Sequence, residues 1–291
     1  MKWILFLFVM PIAYFIVVYA GLTLQTYPPR YVGDISVRLL SRDAQKIQFE
    51  TVDGHTLHGY FVLVNPKSPT MILNHGLHTT KENLYPLGNA LAREGWNVLL
   101  YDMRAHGKST GKQSSFGFLE QRDIEAAMVY VRGQTDLKNQ EIGLYGVSMG
   151  ASAALHVAAR DPSVKTVIAD SPCDDLLTLL MSVIQRKYHL PAFPTELFLK
   201  GAYALRFQAP IESVSPVSIV AQINPRPILF VYGKQDSLID EASRTRLIQA
   251  AQNTQSVWVS ELAGHGDAIQ ADWGAFRAQV VTFLDRTLPK G

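Results

Sequence analysis

Cysteine and charge are both scarce in this sequence. Cys173 is the only cysteine in 291 residues, so an intramolecular disulfide and a cysteine-based metal site are excluded. Only 18% of the residues are charged and the formal net charge is +2. The basic residues are scattered, and this pattern gives no indication of nucleic-acid binding. The sequence also contains no internal repeat and no low-complexity tract.

Hydrophobic residues, in contrast, make up 47% of the chain. This content is typical of a folded protein with a substantial core and not of a disordered one. One large α/β domain is the simplest organisation for a chain of this length.

The N-terminal segment differs from the rest. Residues 3–24 carry no charge, and a helix of that length would span roughly 33 Å, about the thickness of a bilayer's hydrocarbon core. We expect a single-pass membrane anchor over residues 1–25, a stalk over 26–44 and the domain over 45–291. The alternative is a signal peptide cleaved near Gly21, which would make the protein secreted or periplasmic. The side of the membrane that the domain faces stays open, because large domains translocate regardless of flanking charge.

Apolar runs alternate with helical periodicity through the domain. A hairpin is predicted around Asp53 and Gly54. Short apolar runs then alternate with amphipathic stretches up to a final helix that begins at "DWGAFRAQVV". This alternation predicts an α/β fold with a mostly parallel sheet, helices on both faces and an antiparallel start.

One stretch interrupts the alternation. Residues 174–224 contain helical segments and prolines but no clear strand, and ordinary connections of this kind run to only ~2–6 residues. We expect a helical cap. Its apolar content would suit a hydrophobic substrate, although a cap that only packs on the core would have the same composition.

The motif "GVSMG" at 146–150 falls between an apolar run and an alanine-rich stretch. At such a position the chain turns sharply from strand to helix. Larger side chains than those of Gly146 and Gly150 would clash, and Ser148 would be held at the edge of the sheet. The pattern predicts that Ser148 is a nucleophile with a helix N-terminus beside it.

A serine hydroxyl needs a histidine base, and the histidine needs a carboxylate that fixes its tautomer. In this type of site both follow the serine along the chain, each after a strand. Asp236 and His265 meet that requirement. Three other acids are less well placed: Asp240, which is expected to cap a helix, and Asp174 and Asp175, which follow the preceding strand.

An oxyanion hole is expected beside the serine. The loop after "MILNHG" should supply one backbone N–H, that of Leu77, and the first helical residue after the serine, Met149, should supply the other. Gly76 lets the loop approach the serine closely. We expect His75 to support this loop through its ring nitrogens.

Five motifs together resemble the α/β-hydrolase superfamily, and within it the membrane-anchored bacterial hydrolases similar to the serine aminopeptidase and Bem46-like groups. The resemblance covers roughly residues 45 to 288. The motifs are "NHGLHTT" at 74–80, "DMRAHGKSTG" at 102–111, "GVSMG" at 146–150, "GKQDSLI" at 233–239 and "GHGD" at 264–267.

The resemblance implies an eight-stranded hydrolase fold with Ser148 as nucleophile, Asp236 as acid and His265 as base. It further implies acyl transfer without a metal or cofactor. Many relatives have a small or polar residue where Leu77 stands, so the entrance near the oxyanion hole is expected to be more apolar in this chain.

These inferences predict a serine hydrolase that cleaves small-molecule or lipid-like acyl esters or thioesters near a membrane. A serine peptidase or aminopeptidase-type amide hydrolase is the first alternative, because the same three residues can cleave amides. A non-catalytic membrane scaffold is the second alternative, but binding alone does not require all three residues.

Overall fold

The computed structural model describes residues 2–30, 40, 44–252 and 255–290 of the chain. After one N-terminal helix and a hairpin, strands and helices alternate along the chain. In chain order the elements are α1 (Lys2–Gln25), β1 (Gln45–Glu50), β2 (Thr56–Val62), β3 (Thr70–Asn74), α2 (Tyr85–Glu94), β4 (Asn97–Tyr101), α3 (Glu120–Arg132), β5 (Ile142–Val147), α4 (Met149–Arg160), β6 (Val164–Asp170), α5 (Leu176–Tyr188), α6 (Ala192–Phe207), β7 (Ile228–Gly233), α7 (Glu241–Ala250), β8 (Gln255–Ser260), α8 (Ala268–Ala271) and α9 (Trp273–Thr287).

The strands form one eight-stranded sheet in the order β1-β2-β4-β3-β5-β6-β7-β8. β1 pairs antiparallel with β2, and β2 pairs antiparallel with β4. The remaining neighbours are all parallel. The predicted architecture, a mostly parallel sheet that begins with an antiparallel hairpin, is confirmed.

The sheet is covered by helices on both faces. Successive side chains of a strand point to opposite faces. Ile72 and Leu144 therefore pack with α3 and α4 on one face, whereas Met71 and Leu73 pack with α2 and α9 on the other. Because the parallel strands all end at the same edge, the loops that follow β3, β5, β6, β7 and β8 are brought together at that edge.

The N-terminal helix α1 packs against the protein. Val18 and Leu22 are buried in an apolar cluster with residues of α5 and α6. The hydroxyl oxygens of Tyr14 and Thr195 lie 2.6 Å apart, and the Phe15 ring meets Phe198 with centroids 5.8 Å apart.

The predicted single-pass membrane anchor is wrong. In the part of the chain that the structure describes, no helix combines the length and the apolar character needed to cross a bilayer. The apolar run that suggested an anchor instead contributes side chains to the packing between α1 and α6.

The residues after α1 are tied to the domain. The backbone N–H of Ser114 donates to the carbonyl of Thr26 at 2.7 Å, and the guanidinium of Arg30 donates to the carbonyl of Ser109 at 2.8 Å. Residues 31–39 and 41–43 of the predicted stalk lie outside the described residues.

The stretch between β6 and β7 contains the predicted insertion, residues 174–224. Its helices α5 and α6 are followed by three 3₁₀ turns, Ile211–Val214, Pro216–Ser218 and Val220–Ile223. Leu177, Met181 and Leu199 are buried in the same cluster as the α1 side chains. α1, α5 and α6 therefore share one small apolar core.

His156 of α4 lies where this stretch meets the main domain. Burial and, to a smaller extent, nearby Arg160 lower the pKa of His156 to about 4, although a hydrogen bond with the backbone of Val214 opposes the change. The imidazole is therefore neutral in the folded protein at neutral pH. Its Nε2 atom is buried without a hydrogen-bond partner among the described residues.

We predict that His156 makes the protein sensitive to acid. The histidine takes up a proton at a higher pH in the unfolded chain than in the folded one, so stability is lost as pH falls from about 6.5 towards about 4. A tenfold change in a proton-binding constant corresponds to about 1.4 kcal/mol, and the expected loss is roughly 3 kcal/mol. Urea unfolding of wild type and His156→Gln at pH 7 and pH 4 measures it.

The His156→Gln variant should lose correspondingly less stability over this pH interval. His189→Gln, at the exposed C-terminal end of α5, is the matched control and should respond to acid as the wild type does. Equal losses in wild type and His156→Gln would contradict the assignment.

Candidate active site

Ser148 occupies the turn between β5 and α4. Its backbone has φ 52° and ψ −114°, a conformation that non-glycine residues rarely adopt and that costs of order 1–3 kcal/mol. The turn is held in place by the backbone N–H of Ser148, which donates to the carbonyl of Asp170 in β6 at 2.7 Å. The strained turn directs the serine hydroxyl to the carboxyl edge of the sheet.

The two glycines of the motif are required by close backbone packing. A Cβ atom at Gly146 would lie 2.3 Å from the carbonyl oxygen of Gly150. At Gly150 it would lie 2.5 Å from the carbonyl oxygen of His75, which follows β3. The sequence pattern therefore records how tightly the first turn of α4 packs on the ends of β5 and β3.

His265 and Asp236 meet Ser148 at this edge. The Nε2 atom of His265 lies 2.8 Å from Oγ of Ser148, and its Nδ1 atom lies 2.9 Å from Oδ2 of Asp236. The three side chains come from the loops after β8, β5 and β7. They form one continuous line of hydrogen bonds.

The hydrogen bonds of Asp236 fix the proton positions along this line. Burial raises the pKa of Asp236, but the hydrogen bond from His265 and those from the N–H groups of Ile239 and Leu238 outweigh it, so the pKa lies below its ordinary value. The side chain is thus an ionised acceptor at neutral pH. His265 must then carry its proton on Nδ1, which leaves Nε2 free to accept a proton from Ser148.

The other acids that the sequence offered have different partners. Asp240 caps α7 by accepting from the N–H of Ser243 at 2.7 Å. The carboxylate of Asp174 lies 2.6 Å from Nε of Arg246, and Asp175 caps α5. In the described residues, only Asp236 among these candidates is hydrogen-bonded to His265.

The loop after β3 passes beside the serine. A Cβ at Gly76 would lie 3.5 Å from Cβ of Ser148, so the backbone of this loop reaches Ser148. Among the hydrogen bonds of the described residues, neither the N–H of Leu77 nor that of Met149 is engaged. Both remain available to a bound oxygen atom.

His75 holds this loop through both ring nitrogens. Nε2 accepts from the N–H of Met103 at 2.9 Å, so Nδ1 carries the proton and donates to the carbonyl of Gly76 at 2.8 Å. Burial, reinforced by the neighbouring His106, lowers the pKa of His75 to about 3. A fully buried neutral imidazole with both nitrogens occupied is suited to supporting the loop.

Asp170, the last residue of β6, and Ser171 after it lie beside these side chains but were not predicted from the sequence. The carboxylate of Asp170 accepts from the hydroxyl groups of Ser171 and Tyr145, both at 3.0 Å. The oxygen of Ser171 in turn accepts from the N–H of Gly266, next to His265, at 2.9 Å. The available signal was the polar pair "DS" directly after a buried strand.

Metal binding has no obvious location in the described ranges. No group of three or more histidine, cysteine, aspartate or glutamate side chains within them is arranged to hold an ion.

Known proteins share this architecture. The model of the alpha/beta hydrolase fold family matches residues 69–205. The chain is 31% identical to the uncharacterized protein YqkD of Bacillus subtilis over 240 residues. The aligned residues cover 80% of this chain and 76% of that protein. The chain therefore belongs to the alpha/beta hydrolase fold family.

Two further relatives carry names that state an activity. An esterase of Pyrococcus furiosus superimposes with a TM-score of 0.74 and 25% identity over 91% of this chain and 98% of its own. The thiohydrolase aneE of Aspergillus aculeatus is 31% identical over 130 residues, which cover 44% of this chain and 41% of that protein. A hydrolase activity is thus named for both of these relatives.

We predict that Gly150→Ala destabilises the protein by at least about 2 kcal/mol, because overpacking against rigid backbone typically costs 1–3 kcal/mol. Gly274→Ala is the matched control, since a Cβ at Gly274 meets nothing within 4 Å and alanine favours the helix there. Thermal and urea unfolding of both variants tests this. Equal stability of the two variants would contradict the close approach at Gly150.

Proposed function

We propose that this protein is a serine hydrolase that cleaves acyl esters or thioesters through an acyl-enzyme intermediate. The observation that carries the proposal is the continuous hydrogen-bonded line from Asp236 through His265 to Ser148. The esterase and thiohydrolase relatives support the same class of substrate.

The first step follows from the proton positions. Oγ of Ser148 attacks the acyl carbonyl carbon while Nε2 of His265 takes the serine proton. The imidazolium that forms is stabilised by the ionised carboxylate of Asp236 on its other side. A neutral histidine is therefore a sufficient base for this first step.

The N–H groups of Leu77 and Met149 are the proposed oxyanion donors. Negative charge develops on the former carbonyl oxygen, and neither group has a hydrogen-bond partner in the part of the chain that the structure describes. The N-terminus of α4 adds a partial positive charge at the same point. Donors of this kind are each worth ~10²–10³ in turnover.

Collapse of the intermediate breaks the bond from the acyl carbon to its leaving oxygen or sulfur. His265 returns the proton to this alcohol or thiol, and an acyl group remains on Ser148. A water molecule then repeats the attack, again losing a proton to His265, and the acid product leaves as Ser148 recovers its hydrogen.

The insertion over residues 174–224 is the proposed wall of the acyl site. Arg186 in α5 donates a hydrogen bond to the carbonyl of Ser237, the residue after Asp236. The insertion therefore meets one of the loops that build the site. The apolar composition of the insertion would suit an acyl chain.

Within the family, we propose that the chain is similar to the serine aminopeptidase and Bem46-like groups, on the basis of its five motifs. Cleavage of amides is the alternative reaction for the same three residues. We favour esters and thioesters because the Pyrococcus furiosus protein is named an esterase and the Aspergillus aculeatus protein a thiohydrolase.

A non-catalytic scaffold role does not explain the strained serine at position 148. The strained backbone at Ser148 costs free energy, and a glycine would adopt the same conformation without it. Retention of a serine there is explained by a reaction at its hydroxyl.

The triad makes a specific prediction about two neighbouring acids. Asp236→Asn should lower kcat by about 10³–10⁴, because the amide no longer fixes the reactive tautomer of His265. Asp240→Asn should leave kcat within about threefold, because asparagine caps a helix about as well as aspartate. Steady-state hydrolysis of a p-nitrophenyl ester by the purified proteins measures both. Comparable losses in both variants would overturn the assignment of Asp236.

Substrate class is tested separately. We expect kcat/KM for acyl esters and acyl thioesters of increasing chain length to exceed that for aminoacyl amides by at least about 10²-fold. Ser148→Ala, confirmed to be folded, controls for background hydrolysis. Selective turnover of the amides would instead support the peptidase alternative.

A further inference from the structure

The end of β6 is hydrogen-bonded to Ser148, which follows β5, and to β7, which precedes Asp236. The carbonyl of Asp170 accepts from the backbone N–H of Ser148 at 2.7 Å, and the N–H of Ser171 donates to the carbonyl of Val231 in β7 at 2.8 Å. Ser171 itself has φ 52°. Two serines in this unusual backbone region are thus fixed on adjacent strand ends, Ser148 after β5 and Ser171 after β6.

The Ser171 side chain connects this strand end to the loop that carries His265. Its oxygen lies 3.0 Å from Oδ1 of Asp170 and accepts from the N–H of Gly266 at 2.9 Å. An ionised carboxylate can only accept hydrogen bonds. The hydroxyl hydrogen of Ser171 therefore points to Asp170, and its lone pairs are left for Gly266.

Asp170 is well placed to orient this hydroxyl. Both Asp170 and Ser171 are 1% exposed, and Oδ2 of Asp170 accepts from the hydroxyl of Tyr145 at 3.0 Å. Each oxygen of the carboxylate thus has one hydroxyl donor. Such a fully partnered buried group is rigid, because each broken hydrogen bond would leave a polar atom unsatisfied.

The contact at Gly266 differs from the other supports of the loop. Within the described residues, the remaining side chains that accept from backbone N–H groups between Leu262 and Gly266 are Ser260 and Asp267. Both belong to the same β8-loop segment. Ser171 instead comes from β6, whose backbone also holds Ser148.

We propose that Ser171 is a positioning residue that holds the His265 loop at the correct distance from Ser148, and that Asp170 orients the Ser171 hydroxyl for this purpose. The inference rests on the proposed function. It identifies Ser171 as a positioning residue and Asp170 as its hydrogen-bond acceptor, and neither contacts the reacting atoms.

The assay is carried out at alkaline pH so that the Asp170 carboxylate is ionised. Burial, with a smaller effect of Asp267, raises the pKa of Asp170. Hydrogen bonds from Ser171 and Tyr145 and the nearby His265 oppose this change, and the resulting pKa is about 6. At pH 8 the carboxylate is ionised, and the direction of the Ser171 hydrogen bond is fixed.

The test compares Ser171→Ala with Ser152→Ala. Both remove one buried serine hydroxyl, but among the described residues the Ser152 oxygen has only Sγ of Cys173 as a side-chain partner, at 3.7 Å. At pH 8, Ser171→Ala should lower kcat per titrated active site about tenfold with KM within twofold. Amide hydrogen exchange in the peptide that contains Gly266 should become at least about tenfold faster. Ser152→Ala should change neither quantity.

Asp170→Asn is the conservative variant, because its amide oxygen still accepts from Ser171. It should keep kcat within about threefold of the wild type. Loss of activity equal to that of Ser171→Ala, with unchanged exchange at Gly266, would overturn the bridging role in favour of the Asp170 charge.

An unchanged kcat and exchange rate in Ser171→Ala would also overturn the inference, even if its melting temperature fell. Failure of the proposed function gives a different result. In that case the wild type would not turn over esters, thioesters or amides, whereas the exchange measurement would still report whether Ser171 holds the loop.

Discussion

The close backbone approach at Ser148 is the constraint on which the candidate site depends. The first turn of α4 packs so tightly on β5 and β3 that only glycine fits at 146 and 150. This packing forces Ser148 into a strained conformation and brings the loop of Gly76 against it. One steric requirement thus positions the proposed nucleophile and the two backbone N–H groups proposed as oxyanion donors. The free energy for the strain comes from the buried sheet and helices on either side.

Hydrogen bonds then extend this arrangement across four neighbouring strand ends. Asp236 after β7 fixes His265 after β8, and His265 reaches Ser148 after β5. The end of β6 lies between them and contacts both sides through Asp170 and Ser171. A parallel sheet suits such a site because each strand delivers its loop to the same edge. A small displacement of one strand would therefore change the distances among Ser148, His265 and Asp236.

The sequence predicted the sheet well because strands buried on both faces read as short apolar runs between helical patterns. The turn at Ser148 could be anticipated for a similar reason, since its glycines are required by sterics. The N-terminal helix could not be read correctly, because burial against α6 and burial in a bilayer select the same apolar residues. Asp170 and Ser171 were also missed, since polar residues after a strand are common and their partner Gly266 lies 95 positions away along the chain.

Covalent labelling tests the central claim most directly. The folded wild-type protein is treated with a fluorophosphonate probe, digested, and mapped by mass spectrometry. A single adduct on Ser148 that disappears in the folded His265→Ala variant is the result that this account predicts. Absence of an adduct in folded wild type, or an adduct on Ser148 that is independent of His265, would contradict it.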